Sequence, residues 1–228
     1  LTDTLPIVLV PGLFCTARLY TEQVPALWKF GPVTVVDHTR GETIAEIASR
    51  VLESAPSRFA LAGLSMGGYV ALEIVHQASG RVAKLALLDT SARPDTAEQV
   101  AVRRQQIELA IAGHLGKVVA MSMPSVIYKD EAVRVILREM AMELGAEIFV
   151  RQQNAIIGRA DSRPRLASIR CPTLVLVGEQ DRLIPPDRSK EIADGIAGAR
   201  YVTIPECGHL STLEQPQRVT KALIEWLQ

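Results

Sequence analysis

The sequence predicts an α/β protein: a mostly parallel sheet of about six strands, helices on both faces, and a helical segment inserted before the last two strands. Three observations predict it. Six short runs, at residues 7–10, 33–36, 59–62, 82–88, 173–177 and 201–204, are rich in Val, Ile and Leu and lack clean period-two alternation. Such runs read as strands buried on both faces. The stretches at about 17–29, 43–54, 66–78, 188–197 and 215–227 are long enough to be the crossover helices that parallel strands require. Between about residues 92 and 165 the alternation stops, and only helical periodicity remains.

Local signals set the boundaries in chain order. Thr43 and Glu46 have capping-box spacing ahead of Ile44, Ile47 and Val51, so a helix starts there, and Ala55-Pro56-Ser57 ends it. The run 59–62 passes directly into Gly63-Leu64-Ser65-Met66-Gly67-Gly68 and then into a helical pattern. Within the insertion, helices are expected at about 96–112, 114–122, 130–143 and 145–157, punctuated by Gly113, Pro124 and Gly145. The last helix carries Val219, Leu223 and Trp226 or Leu227 on one stripe, as a helix laid on a sheet requires. The expected organisation is a core of residues 1–91 and 166–228 and a helical cap of residues 92–165.

Composition excludes several classes. Lys plus Arg and Asp plus Glu each number 25 in 228 residues, which leaves no global field for nucleic acid or an anionic membrane. Cys15, Cys171 and Cys207 are odd in number and widely spaced, against both a disulfide framework and a thiolate metal site. His38, His76, His114 and His209 form no metal-binding pattern. The opening residues lack a signal-peptide pattern, and no apolar run is long enough to span a bilayer, so a cytoplasmic setting is the expectation.

The chemistry concentrates at Ser65. A serine on a sharp strand-to-helix turn needs residues with almost no side chain two positions before and after it, and Gly63 and Gly67 supply them. Such a turn lifts the hydroxyl above the sheet's C-terminal edge, beside a helix N-terminus that favours developing negative charge. A serine hydroxyl is a weak nucleophile, so it needs a base and an orienting acid. Asp181 follows the strand ending at Val177, and His209 lies beyond the last strand. Asp89 is a competing strand-end acid, with Glu179 and Glu206 behind it, while Asp37 reads as a turn cap. The oxyanion requires two amides: Leu13 N–H, after Gly12, and Met66 N–H are the candidates. Phe14 and Cys15 either line the pocket or pack the loop. Met121 and Met123 read as core packing or soft pocket lining, and Arg151 and Arg159 as solvated helix arginines or clamps for a substrate carboxylate. His38, His76 and His114 read as structural.

The chain resembles the α/β-hydrolase family, in particular small capped enzymes that include 3-oxoadipate enol-lactonases, carboxylesterases and carbon-carbon bond hydrolases. The resemblance rests on GLSMGG (63–68), RCPTLVLVGEQDRLIPP (170–186), IPECGHLSTLEQP (204–216) and, more loosely, PIVLVPGLF (6–14). It implies an α/β-hydrolase fold and a Ser65-Asp181-His209 triad. The chain departs from its relatives in having Pro11-Gly12 where they commonly have His-Gly, in showing only about five residues ahead of the first strand run where they commonly have a two-strand hairpin, and in a shortened DHTRGET segment.

The expected function is hydrolysis of a small, mostly uncharged carboxylic ester or lactone through an acyl-enzyme, with no metal, nucleotide or organic cofactor. The alternatives are carbon-carbon bond hydrolysis of a β-diketone or vinylogous acid and, in a different class, a slow or non-hydrolytic ligand-binding protein. Ser65 in place of an elbow aspartate disfavours dehalogenation. The expected partner is a small-molecule substrate, not nucleic acid or membrane, and a homo-oligomer stays open.

Overall fold

The structure, a computed structural model, describes residues 4–228. Its strands are β1 (Ile7–Val10), β2 (Val33–Val35), β3 (Phe59–Leu64), β4 (Val82–Leu88), β5 (Thr173–Gly178) and β6 (Arg200–Ile204). The helices are α1 (Val24–Leu27), α2 (Ile44–Ser54), α3 (Met66–Ala78), α4 (Ala97–Ile111), α5 (Leu115–Val126), α6 (Glu131–Ile157), α7 (Pro186–Gly195), α8 (Ser211–Glu214) and α9 (Pro216–Leu227). The strands form one sheet in the order β2-β1-β3-β4-β5-β6, and every neighbouring pair is parallel.

This order places the site. The chain winds from β1 outward to β2, then returns to β3 on the other side of β1 and continues in one direction. In open parallel sheets a crevice forms at such a reversal, beyond the carboxyl ends of the strands. Here those ends carry Gly12 after β1 and Ser65 after β3.

Successive side chains of each strand enter opposite cores. Ile7, Leu9, Ala62, Leu88 and Leu176 pack with Leu27 of α1 and with Val219, Leu223 and Trp226 of α9. Val8, Val10, Leu61, Leu87 and Val175 pack with Ile47 of α2, Ile74 of α3 and Ile192 of α7. All four residues of β1 and all six of β3 are buried, which is why neither strand alternates with polar residues.

The sequence boundaries shift at the first helix and at the end of α5. The helix expected over 17–29 splits into a 3-10 turn at Ala17–Tyr20 and α1, because Pro25 fits only the first turn of a helix. α5 runs through Pro124 to Val126 instead of stopping near 122. The division expected at residue 145 holds: α6 consists of two helical stretches that meet at a sharp break at Gly145, whose φ of 78° suits glycine. Together α4, α5 and α6 form the helical subdomain inserted between β4 and β5. Among the described residues no helix is long and apolar enough to cross a membrane.

Candidate active site

The elbow is built by close approach. A Cβ on Gly63 would lie 2.1 Å from the Gly67 carbonyl oxygen, and one on Gly67 would lie 2.0 Å from that of Val10. Only hydrogen fits at either position, so α3 starts close against β1 and the turn between β3 and α3 stays tight. Ser65 takes the strain, with φ 57° and ψ −117°, a conformation that L-residues rarely adopt. Its backbone is fixed on both sides: its N–H donates to Leu88 (2.9 Å), and its carbonyl accepts from Thr90 Oγ1 (2.8 Å) and Gly68 N–H (2.9 Å).

The base and its orienting acid come from the loops after β6 and β5. Ser65 Oγ donates to His209 Nε2 at 2.8 Å, and His209 Nδ1 donates to Asp181 Oδ2 at 2.7 Å. The second bond selects the tautomer that leaves Nε2 free to accept the serine proton. Asp181 is held in turn, since its Oδ1 accepts from the amides of Leu183 and Ile184, both at 2.9 Å. All three side chains are nearly buried. Burial pulls the His209 imidazole down, but the charge of Asp181 and its hydrogen bond outweigh this, and the net effect is a rise above the ordinary imidazole value.

This rise sets a pH dependence with a definite sign. A group whose folded pKa is raised stabilises the protein fully at low pH, and that contribution is lost as pH rises through the folded pKa. Catalysis needs the neutral imidazole, so kcat/KM increases over the same window, with a midpoint above the ordinary histidine value. A pH profile on a substrate whose chemistry is rate-limiting checks this; a rate flat between about pH 5 and 9 would contradict the base assignment.

Two groups that bind backbone of the site loops escaped the sequence reading. Glu214, on α8, accepts from Gly208 N–H (3.1 Å) and Leu210 N–H (3.1 Å), the amides flanking His209, and from Tyr128 N–H (2.8 Å) of the helical insertion. His209 N–H donates to the Val126 carbonyl at the end of α5 (2.8 Å), so the insertion and the histidine loop are stitched together. The other is His38, 2% exposed, whose Nε2 lies 3.0 Å from the Gly12 carbonyl. The spacing D-x-x-x-G-E-T around it carries no local sign of that long-range bond.

A cavity of about 380 Å³ opens above Ser65 and His209, walled by Leu13, Phe14, Val126, Leu137 and Leu183 and by polar groups of α4. Met121 and Met123, which the sequence offered as core packing or pocket lining, are not in its wall. Met121 lies 58% exposed on the outer face of α5, and Met123 packs against the core. Arg151 is also outside: Nη1 donates to the Thr39 carbonyl (2.9 Å) and Nη2 to Glu147 (2.7 Å), so it fastens the loop after β2 to α6. Arg159 does line the cavity, stacked over the Tyr69 ring at 4.3 Å and paired with Asp95 at 2.7 Å. Asp95 also pairs with Arg103. Burial pushes the Asp95 carboxyl up, but hydrogen bonds from both arginines outweigh it and keep its pKa below the ordinary carboxylate value. Two guanidinium groups around one carboxylate leave this part of the wall positive.

Asp89 sits apart from the imidazole. It is fully buried, its Oδ1 accepting from Gly178 N–H (2.8 Å) and its Oδ2 hydrogen-bonded to Ser211 Oγ. Burial, with the charge of nearby Asp181, pushes its pKa up to about 8. Asp37 binds Thr39 N–H and Oγ1 as a turn cap. The Cys15 thiol is pushed up to about 12 by burial and that of Cys207 is raised further by the same cause, so neither is an available thiolate.

With Ser65 aimed at a histidine already oriented by an aspartate, the centre is that of a serine hydrolase. The chain belongs to the alpha/beta hydrolase family, whose family model matches residues 7–222. A thermophilic esterase from Thermogutta terrifontis, solved with malate bound, is 30% identical with a TM-score of 0.87, over 98% of this chain and 89% of that one. The enol-lactonase from Burkholderia xenovorans LB400 is 25% identical with a TM-score of 0.88, over 99% and 92% of the two chains. In sequence, the Mycobacterium tuberculosis protein BpoC, which bears the name of a non-heme bromoperoxidase, is 25% identical over 246 residues, 97% of this chain and 93% of that protein.

Proposed function

We propose that the enzyme hydrolyses a small carboxylic ester or lactone carrying a carboxylate arm. The acyl-transfer part of this reading rests on the Ser65-His209-Asp181 relay. His209 takes the Ser65 proton as Oγ attacks the carbonyl, returns it to the leaving alkoxide, and then activates water against the acyl-enzyme. The amides of Leu13 and Met66 are the proposed oxyanion donors. Their support is that Gly12 approaches the nucleophile so closely that a Cβ there would lie 3.3 Å from Ser65 Cβ, and that neither amide has a hydrogen-bond partner among the described residues. Helix α3 starts at Met66, so its N-terminal dipole adds to the same charge.

The carboxylate arm rests on the wall formed by Arg103, Asp95 and Arg159. A net positive charge in a partly desolvated wall favours an anionic ligand group, and this moves the reading away from a mostly uncharged substrate. The division into a core of 1–91 and 166–228 and a cap of 92–165 belongs to this proposal: the cap supplies the arginine wall and the core supplies the chemistry. The three free cysteines support a reducing, cytoplasmic setting.

The test is a panel of p-nitrophenyl esters, lactones and acidic ring-cleavage products, each compared between the native enzyme and Ser65→Ala. Ester or lactone turnover that vanishes in Ser65→Ala is expected; turnover confined to the ring-cleavage products would instead establish carbon-carbon bond hydrolysis. Within the panel, Arg103→Met lowers kcat/KM for a monoanionic ester by about 10- to 100-fold relative to its neutral isostere, as expected for one charge-assisted hydrogen bond. An unchanged ratio between the two substrates would remove the carboxylate arm and leave the triad chemistry standing.

A further inference from the structure

A peptide unit is a rigid plane, and in a trans unit its C=O and N–H point in opposite directions. The carbonyl of Gly12 and the N–H of Leu13 belong to one such unit, and the described residues contain no cis bond. Whatever fixes the Gly12 carbonyl therefore aims the Leu13 N–H. Two donors fix it. Cys15 N–H closes the 12–15 turn onto it at 3.1 Å, and His38 Nε2 reaches it at 3.0 Å from the loop after the neighbouring strand β2. A carbonyl only accepts, so His38 carries its proton on Nε2. Burial keeps this ring below the ordinary imidazole value, so it is neutral and holds that single proton.

The placement is unusually well supported for a loop residue. His38 is fully enclosed, its own carbonyl is reached by Gln152 Nε2 of α6 at 3.5 Å, and the next carbonyl, of Thr39, accepts from Arg151. Within the β1 loop, the Cys15 N–H is the one other donor to the Gly12 carbonyl among the described residues. Pro11 offers no donor from either backbone or side chain, and Phe14 holds a strained φ of 68°.

We propose that His38 is a positioning residue of the oxyanion hole, which orients and polarises the Gly12–Leu13 peptide so that its N–H meets the developing oxyanion. The proposal rests on the reading of Leu13 as an oxyanion donor. Its physical content is that a hydrogen bond accepted by an amide carbonyl strengthens the donor at the other end of the same amide, and that a fixed peptide needs no reorganisation as charge develops.

The experiment compares an activated ester with its thionoester, in which sulfur replaces the carbonyl oxygen and accepts hydrogen bonds poorly. The ratio of kcat/KM for the two reports what the oxyanion donors contribute, and for the native enzyme it is expected to be on the order of 10²–10³. His38→Phe, which fills the space without the donor, is expected to lower kcat on the ester by about tenfold with little change in KM, and to reduce the ratio by a similar factor. His38→Gln, whose amide nitrogen reaches the same carbonyl, is expected to recover most of both. If His38→Phe does not fold, as judged by circular dichroism, His38→Asn is measured instead, because its amide is too short to reach. A native enzyme that discriminates, with a donorless variant that discriminates equally, overturns the role of His38 and leaves Leu13 in place. A native enzyme that does not discriminate between the two substrates overturns the oxyanion reading and this proposal together.

Discussion

Asp181→Asn keeps the fold and lowers kcat by about 10³–10⁴-fold, the loss that follows in a serine-protease triad when asparagine stabilises the wrong imidazole tautomer. In this enzyme the asparagine Oδ1 retains the Leu183 and Ile184 amides, so the loop holds, while the group facing His209 Nδ1 becomes a donor opposite a donor. Asp89→Asn behaves in the opposite way. Burial and the charge of Asp181 favour the protonated form of Asp89, and asparagine mimics a protonated carboxyl between Gly178 and Ser211. Activity stays within about tenfold of native. The folded-state pKa is raised, so native stability falls as pH rises from the ordinary carboxylate range through about 8. The melting temperature of Asp89→Asn therefore gains on the native enzyme across that window. Kinetics on one activated ester and melting curves at both ends of the window check the pair. Orders of magnitude lost in Asp89→Asn but not in Asp181→Asn would reverse the acid assignment.

Gly67→Ala is expected to cause a large loss of stability for a single added methyl group. Its Cβ would lie 2.0 Å from the Val10 carbonyl oxygen and 2.8 Å from that of Pro11, both backbone atoms that cannot rotate away. Either α3 slides along the sheet or β1 bends, at a cost of about 3 kcal/mol or more. For a domain of this size that is a fall of roughly 6–12 °C in Tm, accompanied by loss of activity as the elbow opens. Gly80→Ala is the control, since a Cβ there meets nothing within 4 Å. Equal melting temperatures for the two variants would show that the elbow tolerates the bulk.

The triad and the strands were legible in the sequence because each is announced within a few residues. The elbow is written in contiguous glycines around Ser65, and Asp181 and His209 follow apolar runs that are strands wherever they pack. Helix α3, at 66–78, and strands β1 and β4 fall where the pattern put them. What was not legible has one physical cause, namely that the facing of these side chains is decided by packing against distant segments. Met121 and Met123 lie close in sequence, yet one points to solvent and the other to the core. Arg151 reaches a carbonyl 112 positions earlier in the chain. His38 and Glu214 bind backbone groups through contacts that leave no periodicity, and a fully buried histidine looks no different from a surface one in a string of letters.

The ring of Phe14 lies flat on that of Phe149, centroids 4.6 Å apart and planes within 1°. One ring belongs to the turn beside the nucleophile and the other to α6 of the insertion. The insertion and the turn beside the nucleophile are thereby tied together. An insertion exchanged for another would arrive without Phe149, and the turn would lose the surface against which its strained residue rests. Diversification of this enzyme is channelled accordingly. Changes at the cavity-lining positions Gln99, Val102 and Gln106 of α4 leave the stacked pair untouched, whereas changes at Phe149 in the second half of α6 reach the turn beside the nucleophile directly.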